Sequence, residues 1–246
     1  MNFESYTLCV FRAFLSHFKS VEIVKRKQEI ISNVASFHNF IPDSILYVGF
    51  NPAIIDDRTK NIFVTLVDKE VCDYLDKNNI KYNYVPYEKL DDYSKQFDVV
   101  VAMDEFFTFA HSDTEQKDLV YKFCNLAKEF IITTCKDYKN QEFKDREFST
   151  PALVRTKNSN NIYLEFHDHD INDRNSWKTE VYEIVNNQLT HIGPFHRKAM
   201  FFKQLAKFCT DSGSIGFSVH KNLMYKSLIK KNYEHVISIR FDNYGP

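Results

Sequence analysis

The fold is decided by two neighbouring stretches, Ser44-Ile-Leu-Tyr-Val-Gly-Phe-Asn-Pro-Ala53 and Ile62-Phe-Val-Thr-Leu-Val-Asp68. Each begins with a short apolar run typical of a buried strand; the first turns at Gly49, and the second ends in an acid. Gly49 and Asp68 are 19 residues apart. In a parallel sheet, a glycine lets the backbone approach a ligand, and an acid about 20 residues later reaches ribose hydroxyls. The two stretches therefore predict an α/β protein that holds a nucleoside-bearing molecule.

Composition limits the class of protein. The 246 residues are 43% hydrophobic and 15% aromatic, which is ample for a buried core. The formal net charge of −1 argues against nucleic acid as a partner. The apolar runs are shorter than the ~20 residues that a membrane span needs, and the N-terminus lacks the pattern of a signal peptide. Five scattered cysteines without a Cys-x-x-Cys pair predict buried thiols in a reducing compartment, the cytoplasm, rather than disulfides or a zinc site.

Strands and helices alternate in the first half of the chain. The predicted strands are 45–49, 62–67, 80–85, 97–103 and 130–134, and the predicted helices between them are 69–78 and 115–128. Short connections between these elements predict right-handed crossovers and a parallel sheet. Residues 1–43 carry apolar side chains at helical spacing, so we expect them to form helices that cover the sheet.

The pattern changes near residue 136. Residues 136–196 are polar and contain short alternating segments, which predict an antiparallel insert with strands at 162–167, 179–185 and 188–192. An amphipathic helix is predicted over 197–210, a strand over 215–220, a short helix over 223–230 and a strand over 234–241. We expect the last two strands to form an antiparallel edge of the main sheet.

This order of elements resembles the class I S-adenosylmethionine (SAM)-dependent methyltransferase fold. That family has a Rossmann-like, doubly wound sheet of seven strands with an antiparallel last strand, preceded by covering helices. The resemblance covers about 45–135 and 197–241, and it implies a methyltransferase domain formed by 44–135 and 197–246. It also implies SAM as the cofactor. The insert at 136–196 stands where such enzymes place elements that recognise and cover the substrate.

The family's first motif runs acid-x-Gly-x-Gly-x-Gly, and the matching positions are Tyr47, Gly49, Asn51 and Ala53. The resemblance implies that Gly49, Asn51 and Ala53 contact the cofactor, because asparagine can adopt positive φ and alanine is small. Tyr47 replaces the acid. Asp68 matches the acid that binds the ribose, and its alternative role is to cap the helix that follows.

Two further segments resemble cofactor-binding parts of the family. Tyr87 follows the third strand, where the adenine side lies; a turn packed on the core is the alternative. Met103 and Asp104 end the fourth strand, and an acid there could hold the ammonium of the cofactor or a substrate amine. The alternative is that Asp104 and Glu105 are solvated loop acids. The Asn/Asp-Pro-Pro-aromatic signature of amino-group DNA methylation is absent.

The segment Phe166-His-Asp-His-Asp170 supplies the candidate catalytic residues. In a strand, His167 and His169 point to one face, and one of them could be a general base for a substrate under the insert. A shared metal would need a third ligand such as His191 or His196, and we predict no metal site. Solvated loop residues are the other alternative. Arg197 stands at the start of the predicted helix, where it could bind an anionic substrate together with the backbone N–H groups of the helix N-terminus. The alternative is a turn and a surface arginine.

The sequence supports two hypotheses from different classes. The first is a SAM-dependent methyltransferase that acts on a small molecule or an unidentified acceptor. The second is a catalytically degenerate methyltransferase fold that serves as a binding or assembly module, with a possible homodimer through the aromatic N-terminal helices; Tyr47 and the missing glycines favour it. A nicotinamide-dependent oxidoreductase is a third, weaker hypothesis.

Overall fold

The computed structural model describes residues 8, 21–49, 55, 59–136, 138, 146–148, 152–155, 160–226 and 233–241. The helices in chain order are α1 Val21–Phe37, α2 Lys69–Lys77, α3 Asp113–Leu126 and α4 Phe202–Asp211, with short 3-10 helices at Tyr87–Asp92 and Phe106–Thr108. The strands are β1 Ser44–Tyr47, β2 Asn61–Val64, β3 Asn83–Tyr84, β4 Phe97–Ala102, β5 Ala127–Cys135, β6 Arg146–Phe148, β7 Ala152–Arg155, β8 Asn160–His169, β9 Ser176–Val185, β10 Gln188–Lys198, β11 Ser214–Lys226 and β12 Tyr233–Phe241.

Seven strands form one sheet in the order β11-β12-β5-β4-β1-β2-β3. Strands β3, β2, β1, β4 and β5 are mutually parallel, whereas β12 runs antiparallel to both of its neighbours. The predicted seven-stranded sheet with an antiparallel last strand is therefore confirmed.

Helices cover both faces of this sheet, as a doubly wound fold requires. Along β1, Ile45 and Tyr47 pack in the cluster that contains side chains of α1 and α2. Leu46 points to the other face and packs in the cluster that contains side chains of α3 and α4. Successive residues of a strand point to opposite faces, so a strand buried on both sides is apolar throughout.

Local capping fixes the ends of α3. The Ser112 hydroxyl accepts the Glu115 N–H at 3.2 Å, and a Glu115 carboxylate oxygen accepts the His111 N–H at 2.6 Å. At the other end, Lys95 Nζ donates to the carbonyl oxygens of Cys124 and Ala127, both at 2.8 Å. A cation at these carbonyls stabilises the negative end of the helix dipole.

The segment after β5 forms a second sheet, as predicted for the antiparallel insert. Its order is β10-β9-β8-β6, with β7 also paired to β8. Asn186 and Asn187 connect β9 and β10 with φ values of 50° and 63°, the left-handed conformation that two-residue hairpins require. One face of this insert sheet packs on the seven-stranded unit, since Val181 and Phe195 belong to the same core cluster as α3.

Two helix predictions are wrong in part. Residues 223–226 continue β11 and pair with β12, because cross-strand pairing overrides the local helical spacing; residues 227–230 lie outside the described part of the chain. The helix predicted from residue 197 begins at Phe202, since Arg197 and Lys198 pair with Trp177 and Ser176 in the insert sheet. Within the described residues, we find no helix with the length and apolar character to cross a membrane.

Candidate functional site

The first turn of the site lies at the carboxyl end of β1. Gly49 has φ 63°, which a residue with a side chain adopts at a cost, so glycine suits this position. Its N–H donates to Thr65 Oγ1 at 3.0 Å, and the Thr65 N–H donates to the Tyr47 carbonyl at 3.2 Å. These bonds fix the turn against the end of β2. Asn51 and Ala53 lie outside the described residues.

Tyr47 occupies the position where the resembled family has an acid. Its side chain is 1% exposed and packs in the core on the face of α1 and α2. The site therefore has an apolar, buried ring at this position instead of a carboxylate.

Asp68 stands at the carboxyl end of the β2 segment and is also the N-cap of α2. Its Oδ1 accepts the Glu70 N–H at 3.0 Å, so the capping role is present. This is the one hydrogen bond that the Asp68 side chain makes among the described residues, and it leaves Oδ2 for a second donor. Helix capping and ribose binding are therefore compatible in this geometry.

Tyr87 and Met103 are held by packing at the same edge. Tyr87 begins the 3-10 helix after β3, and its ring centroid lies 6.5 Å from that of Phe106. Burial and the nearby Asp91 carboxylate raise the pKa of Tyr87 to about 12, so the phenol stays neutral. Met103 is 4% exposed and packs in the core on the α1 and α2 face.

Asp104 and Glu105 follow β4 with φ values of 57° and 54°, a conformation that non-glycine residues adopt at a cost. Asp104 is half-buried. Glu105 is 1% exposed, so its interpretation as a solvated loop acid is wrong. No local pattern in the sequence indicated that Glu105 is buried or that other side chains gather around it.

Glu105 is the centre of a buried charged network. Lys136 Nζ lies 2.9 Å from Glu105 Oε2, and the Tyr138 hydroxyl donates to Oε1. The Glu105 N–H donates to Thr134 Oγ1 at 3.0 Å. Burial and the Glu105 carboxylate raise the pKa of Tyr138 well above its usual value, so the phenol remains a donor. The network fixes the segment after β4 to the end of β5.

Arg197 joins this network from the insert sheet. Its Nη2 lies 3.9 Å from Glu105 Oε2, and its Nε and Nη2 donate to Thr108 Oγ1 at 2.9 and 2.6 Å. The guanidinium carbon lies 4.3 Å from the Phe109 ring centroid and 5.6 Å from that of Trp177. Arg197 is 1% exposed. It is therefore neither a surface residue nor part of a helix N-terminus, and its position in β10 points it inward like Phe195.

A pocket of about 450 Å³ lies beside Arg197. Its lining is rich in imidazoles and carboxylates: His111, His169, His196, Asp168, Asp170 and Asp173. Trp177 also contributes to the lining, and its ring lies 5.5 Å from that of His169. The α/β unit and the insert both contribute side chains, so the pocket lies between them.

The two candidate catalytic histidines have different environments. His169 lines the pocket, with its Nδ1 3.3 Å from the Arg174 carbonyl oxygen. His167 is 8% exposed; its Nδ1 lies 3.0 Å from Thr179 Oγ1 and its Nε2 lies 3.4 Å from Glu165 Oε1. Both ring nitrogens of His167 thus face protein partners.

The other histidines considered for a metal lie apart. His191 stacks on Tyr182 at 4.7 Å and lies 3.7 Å from Glu180, whereas the His196 ring lies 4.3 Å from that of His111. Over the described ranges, no group of three or more His, Cys, Asp or Glu side chains has the geometry of a metal site. His111 carried no signal in the sequence, because it lies in a loop with no pattern around it.

Comparison with known proteins gives a consistent result for the fold. No protein-family model matches the chain, and no curated protein matches its sequence. Many solved structures match it with probability 1.00, and DesVI, CalS10 and KedS8 are among them. DesVI from Streptomyces venezuelae is 11% identical, with a TM-score of 0.68 over 98% of this chain and 99% of that chain.

The other two are methyltransferases of amino sugars or sugars. SAM-bound CalS10, an amino pentose methyltransferase from Micromonospora echinaspora, is 10% identical, with a TM-score of 0.63 over 93% of this chain and 94% of that chain. The sugar N-methyltransferase KedS8 from Streptoalloteichus sp. is 9% identical, with a TM-score of 0.65 over 93% and 91%. The chain therefore has the class I SAM-dependent methyltransferase fold, as the strand order and the sequence resemblance indicated.

Proposed function

We propose that this protein binds SAM at the carboxyl ends of β1, β2 and β4 and transfers its methyl group to a small molecule. One observation carries the proposal: the left-handed turn at Gly49 is fixed beside the segment that ends in Asp68. Ligands of open α/β sheets bind at this edge, where a glycine permits close approach of the backbone.

The chain's own residues would hold the cofactor through contacts at this edge. Asp68 Oδ2 would accept hydrogen bonds from the vicinal ribose hydroxyls, while Oδ1 caps α2. Gly49 would present its backbone to the ligand, and Tyr87, Met103 and Asp104 would contribute from the ends of β3 and β4. The family resemblance adds Asn51 and Ala53 to this set. When bound, SAM supplies an electrophilic methyl group. The protein's part is to orient the acceptor and exclude water.

The acceptor would bind in the pocket between the insert and the α/β unit. The network of Glu105, Lys136 and Arg197 supports this proposal, because it ties the insert to the segment that follows β4. CalS10 is an amino pentose methyltransferase, and KedS8 is a sugar N-methyltransferase. We therefore propose an amine-bearing small molecule of about sugar size as the methyl acceptor. We also propose a reducing cytoplasmic location, which suits the free thiols of Cys72, Cys124, Cys135 and Cys209.

The proposal is tested by calorimetry with SAM and with its demethylated product. The Asp68→Ser variant is the informative one, since serine caps a helix about as well as aspartate but is too short and neutral to replace the ribose contact. We expect about a 10- to 100-fold weaker affinity, which corresponds to a lost charge-assisted hydrogen bond. Asp73→Ala, at an exposed position of α2, is the matched control and should bind as the wild type does.

A binding or assembly module without catalysis is the second candidate, and the buried Tyr47 favours it. This position supplies no carboxylate. No heat with either ligand at millimolar concentration would support this candidate and remove the first. A homodimer through the N-terminal helices belongs to the same proposal, and sedimentation of a variant that lacks residues 1–20 tests it.

A further inference from the structure

Two histidines meet across the acceptor pocket. His111 comes from the loop before α3 and His196 from β10 of the insert, and their ring centroids lie 4.3 Å apart with an interplanar angle of 33°. Both rings line the pocket, and both residues are exposed at its mouth. The pair therefore has one member on each side of the pocket, and both members are open to solvent.

The charges around the pair favour uptake of a single proton. Lys178 pairs with His196 in the sheet register, and a Glu115 carboxylate oxygen accepts the backbone N–H of His111 at 2.6 Å. Burial lowers the pKa of His196, His111 and Lys178 lower it further, and Glu115 opposes them. Asp168, Asp170 and Asp173 face the pocket from β8 and the following turn, with Arg197 from β10. Two imidazoles in contact cannot both carry a charge without repulsion, so the first proton disfavours the second.

We propose that His111 and His196 act together as one base that takes a proton from the substrate in this pocket. The methyl acceptor is then an amine that arrives in its ammonium form. This inference rests on the proposed methyl transfer. The ammonium N–H proton moves to an imidazole nitrogen, which leaves a neutral amine and an imidazolium. The nitrogen lone pair then forms the new C–N bond, the bonding pair of the broken C–S bond stays on sulfur, and the imidazolium releases its proton to solvent.

The chemistry of the base selects the amine. An imidazole titrates within a few units of an ammonium group, so proton transfer between them is accessible near neutral pH. A sugar hydroxyl is a far weaker acid than an ammonium group, so complete proton transfer to imidazole before the attack is accessible for the amine and not for the sugar hydroxyl, and a carboxylate needs no base.

Histidine NMR of the protein without cofactor tests the pair directly. With ¹³C-labelled histidine, His111→Asn should raise the pKa of His196 by about 0.7. This shift corresponds to the repulsion between two unit charges in water at the ring separation of 4.3 Å. His191→Asn, on a ring that stacks on Tyr182 away from the pair, is the matched control and should leave it unchanged. If His196 titrates identically in the wild type and in His111→Asn, the two rings are independent and the proposal is overturned.

The pH dependence of turnover adds a second readout, with SAM and glucosamine as the probe amine and glucose as its neutral match. We expect methylation of glucosamine only. His196→Asn should be slowed about 5- to 10-fold at pH 7, because an amine of this kind is only about a tenth neutral there, and should be close to wild type near pH 9, where the amine is already deprotonated in solution. An equal loss at both pH values would mean a structural role and overturn the proposal. If the wild type binds no SAM by calorimetry, the proposed function fails, while the NMR titration still decides whether the pair shares a proton.

Discussion

Replacement of Arg197 by methionine should lower the free energy of unfolding by about 3 kcal/mol. The guanidinium makes two N–H bonds to the Thr108 hydroxyl and lies 4.3 Å from the Phe109 ring centroid in a fully buried position. The two N–H groups share one hydroxyl oxygen and together contribute roughly 1 kcal/mol in net terms, and a desolvated cation–π contact contributes about 2 kcal/mol. Methionine fills the volume of the arginine stem but makes neither interaction.

Urea unfolding followed by tryptophan fluorescence measures this effect. The chain has a single tryptophan, Trp177, whose ring lies 5.6 Å from the guanidinium carbon. Lys178→Met, at the exposed neighbouring position of β9, is the matched control and should change the stability by less than about 0.5 kcal/mol. Arg197→Lys keeps the charge but loses the planar stacking, so we expect an intermediate loss.

A double-mutant cycle with Glu105→Gln separates the charge interaction from the packing. Arg197 Nη2 lies 3.9 Å from Glu105 Oε2, and Lys136 neutralises the same carboxylate from 2.9 Å. We therefore expect a coupling on the order of 1 kcal/mol, below the value for an isolated buried pair. The reasoning is refuted if Arg197→Met is as stable as Lys178→Met, because the inward position of the guanidinium would then contribute nothing.

Two further predictions concern stability away from the pocket. His38 Nε2 and His220 Nε2 both lie 2.8 Å from Ser238 Oγ, and burial lowers the pKa of each ring below the ordinary 6.5. The unfolded chain then binds protons more readily than the folded one, so the free energy of unfolding should fall as the pH drops below about 6.5. In the double variant His38→Gln, His220→Gln, the urea midpoint should depend less on pH between pH 8 and 5. An unchanged slope would contradict this assignment. Lys95→Met removes the cation at the end of α3 and should lower the free energy of unfolding by about 1–2 kcal/mol, as measured by thermal unfolding. The control Lys89→Met, at an exposed position, should change it by almost nothing. Equal melting temperatures of the two variants would refute the capping role of Lys95.

The sheet could be predicted because its strands are short apolar runs of the kind that both faces of a parallel sheet bury. Residues 97–103 are the best example, and β4 occupies 97–102 of them. The antiparallel edge followed from the two alternating segments at the C-terminus. Such patterns are local, and local patterns are what a single sequence records.

The network around the pocket could not be predicted, because its contacts join distant parts of the chain. Arg197 meets Thr108, 89 positions earlier, and Glu105 meets Tyr138, 33 positions later. A charged residue in a polar segment looks solvent-exposed until its partners are known. The one available signal was the alternation of Phe195 and Arg197 in a strand, which places both side chains on the inner face.

The central claim is tested most directly by a crystal structure with the demethylated product of SAM. We predict a nucleoside bound at the Gly49 turn, with its ribose hydroxyls about 3 Å from Asp68 Oδ2. A ligand bound elsewhere, or a crystal without ligand after millimolar soaking, would contradict the account.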